Sequence, residues 1–106
     1  NHYSADSEIQ KVQDFIAAFK KEYNEVPNAF ATLGYDAVQI AVQAIQKADS
    51  LESADIIAAL NTESFDCVTG NIKFDANGNP QKEVVILTFG TEGEGSHKFY
   101  ATGSTK

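Results

Sequence analysis

The sequence predicts an α+β chain, three helices followed by about three mostly antiparallel strands. Three observations carry that expectation. Apolar residues recur at three-four spacing from Ile9 to Tyr23, and a second, far more apolar helical stretch covers residues 29–48. Beyond Leu60 the pattern changes to short β-branched and aromatic runs, broken by Gly, Asn and Pro. With 106 residues, 42% of them apolar and 22% charged, there is material for one modest core.

The first helix is expected over residues 6–23. Ile9, Val12, Phe15, Ile16, Phe19 and Tyr23 form one face, with Glu8, Lys11, Asp14, Lys20 and Lys21 opposite. Asp6 or Ser7 can cap its start, and Ser7 with Gln10 fits a capping box. Lys20 and Lys21 suit the negative end of the helix dipole. The run NEVPN at 24–28 breaks the helix, because Pro27 pushes Val26 away from helical angles and Asn28 can cap a second helix.

Residues 29–48 leave few polar positions, so this helix calls for burial on most of its circumference. A third helix is expected over 53–60, capped by Ser53 and packing Ile56, Ile57 and Leu60. Residues 68–74 read as a strand weakened by Gly70. A turn centred on Asn77-Gly78 comes next. Residues 83–89 contain Val84-Val85-Ile86-Leu87, a run typical of a strand buried on both faces. Residues 91–96 form a Gly/Glu loop, 97–101 a last short strand, and 102–106 a polar, frayed tail.

Charge excludes several functions. Fifteen acidic side chains face eight basic ones, all lysine, for a net charge of -7. Such a surface opposes phosphate backbones and anionic lipid, so no nucleic-acid partner is expected. No apolar run reaches the roughly 20 residues of a membrane span. Asn1-His2-Tyr3-Ser4 reads as the middle of a longer chain rather than a leader.

Catalytic and metal readings are weak. Cys67 sits between Asp66 and Val68, and a buried structural thiol explains it better than a dyad with His2 or His97. One cysteine and two histidines make a poor zinc set. The DANGN run at 75–79 has its glycine at the fourth loop position and Ile86 at the twelfth, so a turn explains it better than a calcium loop. Gly90 to Gly95 places Glu92 and Glu94 where a phosphate would sit, and those acids read as solvated. Asp36 suits a helix start, and Phe30, Leu33 and Tyr35 read first as core. No enzyme activity, cofactor or metal is expected.

Two long segments point further. Residues 19–38 read FKKEYNEVPNAFATLGYDAV, and residues 65–82 read FDCVTGNIKFDANGNPQK. They resemble the C-terminal region of branched-chain amino-acid ABC transporter substrate-binding proteins, relatives of the leucine/isoleucine/valine-binding protein and members of the type I periplasmic-binding family. That family carries "FxxxYKxxYxxxP", then "A(F/Y)AALGYDAV", and later "GVTGxIxFDxxGNPxK". Tyr3-Ser4-Ala5-Asp6 also resembles its "YSPDS" loop, and Cys67 departs from the glycine usual before Val-Thr-Gly.

The resemblance implies that residues 1–106 are the C-terminal segment of a two-lobed α/β binder about three times as long. Residues 1–26 would belong to the C-terminal lobe, 29–75 to the N-terminal lobe, and 83–101 to the C-terminal lobe again. The apolar helix would then pack on a parallel sheet outside this sequence. The implied function is capture of a branched-chain or related amino acid by lobe closure and delivery to an ABC permease, in the periplasm or outside the cell, with a lipid anchor on an upstream segment. Within the chain, the ligand contacts implied are Phe30 and Tyr3. Most polar ligand anchors would lie upstream, so the segment alone is expected not to bind. The alternative is a ligand-sensing or oligomerising interaction domain of the same fold, including a homodimer of the isolated chain.

Overall fold

Fourteen residues of α1, Gln10–Tyr23, begin a chain of eight elements: α2 Ala29–Ala48, α3 Ser53–Thr62, β1 Ser64–Cys67, β2 Gly70–Phe74, β3 Pro80–Gln81, β4 Glu83–Phe89 and β5 His97–Ser104. The computed structural model describes residues 3–90 and 97–104, so His2 and the loop expected at 91–96 lie outside the described residues, as do 105 and 106. All strand pairing is antiparallel, in a sheet of order β1-β2-β3 and a separate β4-β5 pair. Five strands replace about three because Ser64–Cys67 and Pro80–Gln81 also pair.

Helix α1 starts four residues later than its apolar period suggests. Ser4 Oγ accepts from Asp6 N–H (3.2 Å) and Ser7 Oγ from Ile9 N–H (3.3 Å), which holds 4–9 in successive side-chain turns. The expected capping box does not form. Ile9 is the N-cap with no side-chain bond, and Gln10 instead donates to Asp14 Oδ1 at 2.8 Å. Helix α2 keeps its expected bounds. Asn28 Oδ1 accepts from Ala31 N–H at 2.9 Å, and Thr32 Oγ1 donates to the Asn28 carbonyl at 3.0 Å. Helix α3 runs to Thr62, and its N-cap is Glu52 rather than Ser53.

The expected strand over 68–74 divides. Cys67 pairs with Gly70, so Val68 and Thr69 are the two turn residues of the β1-β2 hairpin. Gly70 takes φ 112°, a backbone setting that a β-carbon disfavours. Phe65 and Cys67 point inward from β1 while Ser64 and Asp66 point out. The expected Asn-Gly turn is present: Asp75 Oδ1 accepts from Asn77 N–H (2.8 Å) and Asn79 N–H (2.9 Å), with Gly78 at φ 81°. These bonds hold the exposed Asp75 carboxyl below its ordinary value. Strand β5 extends past Ala101 to Ser104, so three residues of the expected frayed tail are paired.

Two small cores replace one. Tyr3, Val12, Phe15, Ile16 and Val68 form the first, with Phe19 and Ala29 against it. Ala44, Phe65, Cys67 and Ile72 form the second, flanked by Ile40, Ile56, Leu60 and Phe74. The molecule measures 51 × 33 × 20 Å with a radius of gyration of 15.7 Å. A compact domain of this length would be nearer ~13 Å, so the chain is spread rather than closed around one centre. Strand β4 is not buried on both faces: Ile86 is 47% and Phe89 91% exposed, because among the described residues β4 pairs with β5 alone.

The surface of α2 inverts the usual arrangement. Thr32, Asp36 and Ala44 are its buried residues, whereas Phe30, Leu33, Val38, Val42 and Ile45 are exposed. At about 100° per residue the exposed set, with Gly34, Ala37 and Ala41, spans about half of the helix circumference, an arc that also holds the buried Ala44.

Candidate functional site

Two segments meet beside the first core. On one side, Ser4 is buried, and Tyr3 sits in the core with its phenol raised above its ordinary value, chiefly by burial and secondarily by the Asp6 charge. On the other side Pro27 is buried and Asn28 caps α2, which presents Phe30 in the first helical turn with 83% of its surface exposed. Tyr3, Ser4, Asp6, Asn28, Phe30 and Leu87 contribute to a hollow of about 550 Å³ between the segments. The two ligand contacts expected from the sequence therefore line one space, Phe30 openly and Tyr3 from the edge of the core. This lining offers aromatic and aliphatic contact together with a hydroxyl, an amide and a carboxylate. Those groups suit a small apolar ligand that carries a charged or hydrogen-bonding end.

A second hollow, about 590 Å³, shares Tyr3, Ser4 and Asp6 and reaches the hairpin turn at Val68, Thr69 and Gly70 and strand β4 at Glu83 and Val85. The turn is fixed by Asp36. Its Oδ1 accepts from Val68 N–H at 2.9 Å, and its Oδ2 accepts from Thr69 N–H at 2.9 Å and Thr69 Oγ1 at 2.6 Å. Asp36 is only 2% exposed, so the carboxylate replaces water for two main-chain donors. Its position in the sequence suggests only a helix-start role. Its actual partners lie 32 and 33 residues away, and no local spacing announces them.

The remaining candidates separate from this site. Cys67 is buried, and burial followed by the nearby Asp36 charge pushes its thiol up to about 11, so it is protonated at neutral pH and a poor nucleophile. Among the described residues no group of His, Cys, Asp and Glu could hold a metal ion. No described helix is long and apolar enough to cross a membrane.

The model of the family described as periplasmic binding protein matches residues 1–94. The chain belongs to that family. A leucine-, isoleucine-, valine-, threonine- and alanine-binding protein of Pseudomonas aeruginosa is 30% identical over 69 residues, which are 65% of this chain and 18% of that protein. The crystal structure of a leucine-binding protein from Thermotoga maritima superposes with a TM-score of 0.77 at 30% identity, over 96% of this chain and 29% of that one. A branched-chain amino-acid transporter substrate-binding protein from Streptococcus pneumoniae, solved with isoleucine, gives a TM-score of 0.75 at 29% identity. It covers 98% of this chain and 28% of that one. The chain thus spans less than a third of the length of these relatives. Its helices and antiparallel strands are a portion of the type I periplasmic-binding fold.

Proposed function

We propose that the chain is part of the solute-binding component of an ABC transporter for branched-chain or related amino acids, working outside the cytoplasm and delivering its ligand to a membrane permease. The observation that carries this reading is the convergence of Tyr3 and Phe30 on one hollow from opposite sides of the 24–28 link. Residues 1–26 and 83–101 belong to one lobe and 29–75 to the other, so the hollow lies where two lobes close on a ligand. Phe30 supplies apolar contact to the ligand side chain, and Tyr3 borders the same space. The likeness to a protein solved with isoleucine supports this ligand class.

Calorimetry on the full-length protein with isoleucine, leucine and valine tests the reading. Saturable binding that Phe30→Ala weakens about tenfold or more is expected, the loss of one well-packed apolar anchor. Binding left unchanged by Phe30→Ala removes Phe30 from the site. The 106-residue chain alone gives no saturable heat at millimolar leucine, since it holds too few polar groups around the hollow.

A second reading rests on the exposed apolar face of α2, where Val38 is 62% and Val42 46% exposed. As an isolated chain the protein is an interaction module that dimerises through this face. Light scattering distinguishes the two, because a monodisperse monomer that stays monomeric at high concentration removes the second reading.

A further inference from the structure

The turn between β2 and β3 holds a reactive pair that ligand capture does not use. Ala76, Asn77, Gly78 and Asn79 are all exposed there. The main chain is pinned by Asp75 N–H on the Asn79 carbonyl (2.9 Å) and Gly78 N–H on the Asp75 carbonyl (3.0 Å). The Asp75 carboxylate accepts from Asn77 N–H and Asn79 N–H as well. Among the described residues no hydrogen bond holds the Asn77 carboxamide, whereas the side chain of Asn79 meets Asp75 Oδ2 and that of Asn28 caps α2.

A free asparagine carboxamide is an electrophile for the peptide nitrogen of the next residue, provided that nitrogen can approach. Gly78 has no β-carbon to hinder the approach. Every other asparagine is followed by a residue with a side chain, and Asn79 by Pro80, whose nitrogen carries no hydrogen to give up. Asn61 is further held inside α3 and Asn71 inside β2.

We propose that Asn77 is a site of spontaneous deamidation, with Gly78 as its internal nucleophile. The Gly78 nitrogen gives up its proton and bonds to Asn77 Cγ. The Cγ–Nδ2 bond breaks, and ammonia leaves carrying that proton, so a succinimide remains. Water adds to either carbonyl carbon of this ring and opens it, leaving aspartate or isoaspartate at position 77. No electrons are exchanged, and water is the one co-reactant. Attack within a single chain replaces an encounter between molecules, so no enzyme is needed. The Gly78 N–H bond to the Asp75 carbonyl must open first, so the bonds of the turn restrain the rate. Either product adds a negative charge to a chain already at -7. Isoaspartate also lengthens the main chain by a methylene, which disturbs the pairing of Lys73 with Gln81 and of Phe74 with Pro80.

The test incubates the full-length protein for weeks at neutral pH, below its melting temperature, beside Asn77→Gln and Asp75→Ala. Ion-exchange chromatography follows the added charge, and peptide mapping by mass spectrometry locates it and separates the two isomers. The wild type is expected to gain an acidic form with both isomers at position 77, ahead of every other asparagine. Asn77→Gln loses that form, because the longer side chain closes its ring far more slowly. Asp75→Ala frees the Asn77 and Asn79 N–H groups and speeds the conversion, and in urea its rate and that of the wild type converge. The isoaspartyl fraction melts at a lower temperature than fresh protein. Absence of acid at position 77, or no more there than at the other asparagines, overturns the proposal. An unchanged rate in Asp75→Ala overturns the restraint by the turn, and an unchanged melt of the isoaspartyl fraction overturns the effect on pairing.

Discussion

Replacing Asp36 probes the central connection of the fold. The carboxylate is 2% exposed and accepts three hydrogen bonds, two from the main chain of the hairpin turn and one from Thr69 Oγ1. Asp36→Ala leaves the Val68 and Thr69 N–H groups facing a void. Val68 is 5% and Thr69 7% exposed, so water cannot readily take the place of the carboxylate. An unsatisfied buried donor costs about 1–3 kcal/mol, and two of them about 3–5 kcal/mol after partial relaxation. A domain of this size has about 5–15 kcal/mol in total, so the variant loses a large part of its stability. Asp36→Asn retains one carbonyl acceptor but turns an NH2 group toward a donor, at about 1–3 kcal/mol.

Urea denaturation followed by circular dichroism gives the total, and amide exchange at Val68 and Thr69 gives the location. Asp36→Ala is expected to lower the midpoint more than Asp36→Asn, and both should speed exchange at those two amides. If Asp36→Ala falls within about 1 kcal/mol of the wild type and both amides stay protected, the carboxylate does not hold the turn and the reasoning fails.

Other outcomes derive from the same structure. The Cys67 thiol, raised from 9.0 to about 11 by burial and the Asp36 charge, keeps its proton in the folded state where the unfolded chain has already lost it. Its contribution is therefore complete below about pH 9 and lost as pH rises through about 11. The loss amounts to at most about 2.7 kcal/mol, and urea midpoints across that range should be flatter in Cys67→Ala. A β-carbon added at Gly34, in the interior of α2, meets nothing within 4 Å, so Gly34→Ala stabilises the 106-residue chain by up to about 1 kcal/mol, read as a higher melting temperature. Asn28→Ala removes the acceptor for Ala31 N–H and lowers stability by about 1 kcal/mol in the same measurement.

What is legible in the sequence is mostly local. Asn28, the bounds of α2 and the Asp75–Asn79 turn depend on partners within four residues, and the residue types there name their own roles. Strand β1 is hidden although Ser64-Phe65-Asp66-Cys67 alternates strictly, because four residues are too short a period to separate from a connecting loop. The β-branched side chains of Val68 and Thr69 suggest a strand. A buried carboxylate from a helix outside the sheet claims their N–H groups and makes them a turn. Propensity yields there to a tertiary contact that sequence distance conceals. Tyr3 and Phe30 are marked by family resemblance rather than by spacing, and what brings them together is the link around Pro27. The shift in the start of α1 is legible in principle, since Ser4 and Ser7 are hydroxyl residues that prefer turns to helix interiors.

The inversion of α2 joins these findings. A helix in a self-sufficient domain buries its apolar stripe and exposes its polar one, whereas α2 buries Thr32 and Asp36 beside Ala44, half-buries Ile40 and exposes Phe30, Leu33, Val38, Val42 and Ile45. Its polar line has partners within the chain: Asp36 on the hairpin turn, and Gln43, two turns further along, on the Asp66 main chain. Those bonds need particular atoms at particular places, so they fix the helix against the hairpin in one register. The apolar side needs only surface, about 1.5–3 kcal/mol for each large side chain once covered. A chain spanning less than a third of its relatives thus keeps the contacts that specify geometry and lacks the cover for the face that supplies bulk stability. The same division explains why Gly34 can accept a methyl group here, while a neighbour packed on that face in a longer protein would turn the gain into a clash.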